Sequence, residues 1–149
     1  MKIALASDHG GFALKEAVKK VLSEKGVSCD DLGVHSEESV DYPDYAVRVA
    51  ELVSQNKVDA GILVCGTGLG MSMVANKFKG VRAAVVTDPF SAQMAKEHNN
   101  ANILCLGGRV TEPKKAEELV LTWLRADYAG GRHDRRLRKI EEIEEKNLR

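Results

Sequence analysis

Ile62-Leu63-Val64-Cys65-Gly66-Thr67-Gly68-Leu69-Gly70-Met71-Ser72-Met73-Val74-Ala75-Asn76-Lys77 is the stretch on which the architecture turns. An apolar run that starts at Ala60 ends in Cys65. Three glycines follow at alternate positions (Gly66, Gly68 and Gly70), and a helix-compatible segment comes next. That order is strand, tight loop, helix. In open α/β sheets, ligands bind beyond the carboxyl ends of the strands, where such a loop lies. Glycines this closely spaced let backbone N–H groups face an anion with no Cβ in the way. A thiol at the mouth of the loop sits among N–H dipoles, which favour its thiolate. A nucleophile or base beside an oxyanion cradle points to an enzyme.

On both sides of this unit the apolar pattern alternates between strand and helix. Lys2–Ser7 reads as a buried strand and Ala13–Lys25 as an amphipathic helix closed by Gly26. Val27–Leu32 is a second, more polar strand, expected near the sheet edge. A loop over Gly33–Tyr42 leads through Pro43 into a helix that runs to about Asn56. Val58–Cys65 is the third strand, and Met71–Phe78 a short helix after the glycines. Val81–Thr87 is the fourth strand, Phe90–Glu97 a helix and Asn102–Leu106 the fifth strand. Thr111–Ala126 closes the series as a helix with Thr111 as N-cap and Pro113 in its first turn. Strands separated by single helices imply right-handed crossovers and a parallel sheet covered on both faces. The expectation is a Rossmann-like α/β/α sandwich with a five-stranded parallel sheet, one domain over residues 1–149.

Composition narrows the function. Lys+Arg and Asp+Glu both number 22, so nothing draws the chain toward nucleic acid or a membrane surface. No apolar run is long enough to span a bilayer. Met1–Asp8 turns polar too soon for the core of a signal peptide. Cys29, Cys65 and Cys105 are widely spaced and include no C-x-x-C pair, which argues against a disulfide framework or zinc cluster. A reducing cytoplasm fits that usage.

The last twenty residues break the alternation. Gly130-Gly131 reads as a hinge, and Arg132–Lys146 as a highly charged helix with Leu137, Ile140 and Ile143 as a thin apolar stripe. So narrow a stripe gains little by folding back on its own domain, and packing across a subunit boundary is the alternative. A solvated helix laced by pairs such as Arg138–Glu142 is the plainer reading. It accounts poorly for Arg132 and Arg136, because cations are disfavoured at a helix start. Four residues apart, the two share a face, as two prongs for a phosphate would.

Other polar groups gather around strand ends. Asp8-His9 follows the first strand: a polar turn with a capping Asp, or a carboxylate and imidazole able to hold or activate a sugar hydroxyl. Asp88 before Pro89 reads as an N-cap. His98-Asn99-Asn100 follows a helix; capping explains one asparagine, and the rest looks like hydroxyl-handling chemistry. Arg109, after Gly107-Gly108, is either a third anion contact or a surface arginine. The glycine loop matches neither common nucleotide motif. G-x-x-x-x-G-K-[ST] is absent, and the third glycine of the dinucleotide fingerprint is Met71 here. Cys65, the glycines, Asp8-His9 and His98-Asn99 are expected together at the ligand-binding edge of one sheet.

Taken together, Ser7-Asp8-His9-Gly10-Gly11, Asp41-Tyr42-Pro43-Asp44, Cys65 to Ser72, Ala75-Asn76-Lys77, His98 to Asn102 and Gly130-Gly131-Arg132-His133 resemble ribose-5-phosphate isomerase type B. That family also holds galactose-6-phosphate and allose-6-phosphate isomerases, which stand as alternative activities. The resemblance runs from residue 2 to about residue 143. It implies an aldose–ketose isomerase of the non-oxidative pentose phosphate pathway, interconverting ribose 5-phosphate and ribulose 5-phosphate. By that likeness Cys65 is the base that moves a proton between C2 and C1, and His98 opens the furanose ring with Asp8 nearby. Gly66, Thr67, Gly68, Leu69 and Gly70 offer N–H groups to the enediolate, Asn99 binds a hydroxyl, and His9 and Tyr42 join the substrate site. Arg132 and Arg136, from a partner subunit, would hold the phosphate with Arg109. Position 65 is Cys and position 70 is Gly, which puts the chain in the cysteine branch. The resemblance implies no cofactor or metal, and a homodimer with shared active sites or a tetramer, residues 130–149 being a hinge and exchange helix. Two other classes are weighed beside it: a nucleotide- or NAD-binding module, and a sugar-phosphate sensor, which needs neither Cys65 nor His98.

Overall fold

A computed structural model describes residues 1–148. Five strands, β1 (Lys2–Ser7), β2 (Ser28–Asp31), β3 (Ala60–Cys65), β4 (Ala83–Val85) and β5 (Ile103–Gly107), form one parallel sheet in the order β2-β1-β3-β5-β4. Helices α1 (Phe12–Glu24), α2 (Tyr42–Ser54), α3 (Leu69–Ala75), α4 (Pro89–Glu97), α5 (Pro113–Arg125) and α6 (Arg132–Asn147) follow in chain order. The period-two alternation of the buried strands sends their side chains to two cores. Ile3, Leu5, Ile62, Val64, Leu104 and Leu106 pack against α1, α4 and α5, around the fully buried Trp123. Ala4, Ala6, Leu63, Cys65, Ile103 and Cys105 face α2 and α3. β2 is indeed an edge strand, and its polar sequence suits one.

The order of strands places the site. From β1 the chain moves outward to β2 and then returns to the other side of β1 to lay down β3. A crevice opens where the direction reverses, beyond the carboxyl ends of β1 and β3. Ser7 stands opposite Val64 in the ladder, so Asp8 and Cys65 flank that crevice.

Element ends differ from the sequence reading in instructive ways. α5 takes Glu112, not Thr111, as its N-cap. Pro113 forces the residue before it into an extended conformation, so the cap must be that residue. Thr111 is buried instead. α3 starts at Leu69, two residues early, because Gly68 in a left-handed conformation turns the chain into the helix at once. β4 is short: Arg82 N–H goes to the Asn102 side chain, and the Asn76 amide binds both polar groups of Ala83 from the side. That amide does for the edge what another strand would.

α6 follows two consecutive left-handed glycines, Gly130 and Gly131, and is seated on its own chain. Gly80 N–H donates to Glu144 Oε1 at 2.7 Å, and Tyr128 donates to Asp134 at 2.7 Å. Burial lowers the proton affinity of Arg82, while Glu141 and Glu144 of α6 oppose that shift. The seat is polar, as so thin a stripe requires. Among the described residues of α6 only His133 is buried, and Ile140 and Ile143 stay 48% and 61% exposed. Arg149, the end of the expected exchange segment, lies outside the described residues. No described helix is long and apolar enough to cross a membrane.

Candidate active site

Cys65 is the last residue of β3, and its side chain enters the crevice with only 5% of the residue exposed. Its Sγ accepts the Gly68 N–H at 3.1 Å. That amide reaches back because Gly68 holds φ near 83°, and a Cβ there would meet the Leu106 backbone at 3.1 Å. The Leu69 N–H is taken by Thr67 Oγ1 at 3.3 Å. Two of the five loop amides expected to meet substrate are therefore used within the loop. Gly66, Thr67 and Gly70 are the remaining donors, while the Leu69 side chain points outward, 53% exposed.

Three further segments close around the thiol. Gly108 N–H donates to Cys65 O at 2.7 Å and Arg109 N–H to Gly66 O at 3.0 Å, which ties the loop after β5 to the glycine loop. The Arg109 guanidinium thereby lies over Gly66, and a Cβ at Gly66 would fall 3.1 Å from its Nη1. Asp8 caps the short turn His9–Gly11, accepting Gly11 N–H at 3.1 Å through Oδ1 and leaving Oδ2 for a ligand. The Tyr42 ring covers Gly70, where a Cβ would sit 2.6 Å from its Cζ. Asp8, Tyr42, Cys65, Gly66, Thr67, Gly70, Met73 and Arg109 line one cleft of about 340 Å³. His9 stands behind this wall; its Nδ1 accepts Val40 N–H at 3.1 Å, so in the neutral ring the proton sits on Nε2.

His98 and Asn99 are not there. His98 is the C-cap of α4, and the helix has carried the chain back to the amino-terminal edge of the sheet. Ile103 of β5 stands beside Gly61, and Gly107 beside Cys65. The two edges are thus separated by roughly 13 Å of strand at about 3.3 Å per residue. The expectation that all these groups share one edge is corrected: Cys65 and His98 do not meet within one chain. His98 and Asn99 instead join Arg132, His133, Arg136 and Leu137 around a second cleft of about 370 Å³. Within the His98-Asn99-Asn100 run His98 is the C-cap, and Asn100, whose φ of 47° is left-handed, turns the chain out of the helix, its N–H donating to Lys96 O at 3.1 Å. Asp88 is the N-cap of α4, accepting Ser91 N–H at 2.8 Å.

The His98 and His133 rings stack at 4.2 Å between centroids and 20° between planes. Burial lowers the proton affinity of His133, and His98, Arg132 and Arg136 lower it further, against Asp134. Sequence reasoning gave His133 no role; its place beside Arg132 was the available signal. Arg132 and Arg136 share the face that their spacing predicts and line the same cleft. Arg109 belongs to the thiol cleft, so the three arginines divide two and one.

The description "Ribose/Galactose Isomerase" belongs to a family model that matches residues 3–140. The chain is 48% identical to ribose-5-phosphate isomerase B of Escherichia coli over 145 residues, 97% of each chain. It superposes on the structure of Clostridium thermocellum ribose-5-phosphate isomerase B with a TM-score of 0.96 and 51% identity, covering 98% of this chain and 99% of that one. The Mycoplasma genitalium ribose-5-phosphate isomerase B solved with bound ribulose 5-phosphate gives a TM-score of 0.94 and 42% identity, over 98% and 97% of the two chains.

Proposed function

The chain belongs to the ribose/galactose isomerase family, and we propose that it interconverts ribose 5-phosphate and ribulose 5-phosphate through an enediolate, at a site assembled from two copies. The observation that carries the reading is Cys65: a thiol at a strand end, held by the Gly68 N–H in a cleft that Gly66, Thr67 and Gly70 help to line. The relatives described above are ribose-5-phosphate isomerases, which favours the pentose over a hexose phosphate.

The chemistry has two stages. The furanose opens when the ring oxygen gains a proton and the anomeric hydroxyl loses one; His98 of one copy and Asp8 Oδ2 of the other are the groups suited to that exchange. The Cys65 thiolate then takes the C2 proton of the open aldose and returns it to C1, while a proton passes from O2 to O1. Charge that develops on those oxygens meets the amides of Gly66, Thr67 and Gly70. Asn99 holds a hydroxyl, Tyr42 shapes the cleft wall, and His9 supports the substrate site through its bond to Val40.

One copy supplies the thiol cleft with Arg109, and its partner supplies His98, Asn99, Arg132 and Arg136 from the other. That division follows from the separation of the two clefts and from the exposed Ile140 and Ile143 on α6. The arginines hold the phosphate. In this reading residues 1–149 act as one domain, with 130–149 as the hinge and exchange helix of a cytoplasmic homodimer. The test is turnover of ribose 5-phosphate by the native chain and by Cys65→Ala. Native turnover should be lost by about two to four powers of ten in the variant, with its fold intact. A variant as fast as the native chain removes Cys65 as the base.

A further inference from the structure

Lys15 lies on the inner face of α1 with no exposure to solvent, a rare position for an ammonium group. Its Nζ stands 2.7 Å from Asp31 Oδ1 and 2.8 Å from Oδ2, and 5.3 Å from the centre of the Phe12 ring. Lys19, one turn further on, reaches Asp31 Oδ2 at 2.8 Å. Asp31 ends β2 at the sheet edge, opposite Leu5. Burial pushes its carboxyl up, but hydrogen bonds from Lys15, Lys19 and the Gly33 N–H outweigh that and hold it at about 2. Apolar side chains of similar volume often replace a buried ion pair with no loss of stability. Such a pair offers direction, which apolar packing does not.

Here the direction is toward the thiol cleft. Asp31 Oδ1 also accepts Gly33 N–H at 3.0 Å. Gly33 O in turn accepts Ser7 N–H at 2.7 Å, and Val34 N–H donates to Ser7 O at 3.0 Å. Asp31 thereby decides how the chain leaving β2 is laid against the end of β1, one residue before Asp8. The same segment is fastened again at its far end, where Val40 N–H meets His9 Nδ1. Two residues later Tyr42 covers Gly70. Lys15 is bonded to the near anchor and lines no cleft itself.

We propose that Lys15 and Asp31 are positioning residues, an ion pair between a buried ammonium and a partly buried carboxylate that sets where His9 and Tyr42 stand relative to the Cys65 cleft. The inference rests on the isomerase reading of that cleft. Lys15→Leu/Asp31→Leu replaces the pair by apolar volume and separates stability from placement. The double variant should melt close to the native temperature, yet its kcat/KM on ribose 5-phosphate should fall by about ten- to a hundredfold, as small misplacements do. Its Val40 amide should exchange about tenfold faster than in the native chain, while the Ile62 and Leu104 amides of the central strands keep their protection. A folded variant with native kcat/KM, or with native Val40 exchange, overturns the proposal. If the native chain itself does not turn over ribose 5-phosphate, the isomerase reading fails and the Val40 amide alone decides the placement. Should the double variant not fold, Asp31→Asn, which keeps the shape of the carboxylate, takes the same two measurements with the same outcomes.

Discussion

Mixing two inactive variants should restore activity. Cys65→Ala destroys the thiol cleft and leaves the His98 cleft whole; His98→Asn does the reverse. The two clefts stand at opposite edges of one sheet, so a site that needs both must draw them from different copies. In a two-fold dimer each site takes one cleft from each chain. A mixed dimer therefore carries one site with both defects and one with neither. Equal amounts unfolded and refolded together give half mixed dimers, each with one intact site of two, or about a quarter of the native specific activity. Each variant alone should lie about two to four powers of ten below native, so the gain stands far above background. The assay is ribose 5-phosphate turnover on a refolded mixture whose mixed dimers are counted by native mass spectrometry. If verified mixed dimers are no more active than the parents, the clefts are not shared and the two-copy site is wrong.

Other expectations follow from single contacts. Asp31, held at about 2 in the folded chain, is depressed below its ordinary value, so its stabilisation is present above pH 4 and drains away as pH falls toward 2. The gap in unfolding free energy between the native chain and Asp31→Asn should narrow by about 2 kcal/mol from pH 6 to pH 2.5 in urea titrations. A gap that stays constant refutes the linkage. Gly70→Ala puts a Cβ against the Tyr42 ring and should cost about ten- to a hundredfold in kcat/KM with little change in melting temperature. Native kinetics would show that the ring's position is immaterial. Arg132→Ala or Arg136→Ala removes one charge-assisted phosphate contact of about 1.5–3 kcal/mol and should raise KM by about one to two powers of ten, with kcat less affected. An unchanged KM would remove that arginine from the phosphate site.

The alternation of apolar strands with single helices is a local pattern, and it determined the five strands, their helices and the placing of Cys65 on a glycine turn. Pro43, Pro113 and Gly26 marked helix ends because their backbone limits act within one or two residues. The spacing of Arg132 and Arg136 put them on one face for the same local reason. Which groups meet across the sheet was a different matter. His98 and Cys65 looked like neighbours as motifs, but a helix reverses the chain and leaves its last residue at the opposite edge. Arg109 took its place over Gly66 only because β5 lies beside β3, an order that no run of residues encodes. Lys15 reads in the chain as one more charged helix residue; only its burial against Asp31 gives it a role. Local backbone preferences act within a few residues and so can be read along the chain. Pairings between Lys15 and Asp31, His9 and Val40, or His98 and His133 depend on packing that brings distant segments together, and only the folded chain settles them.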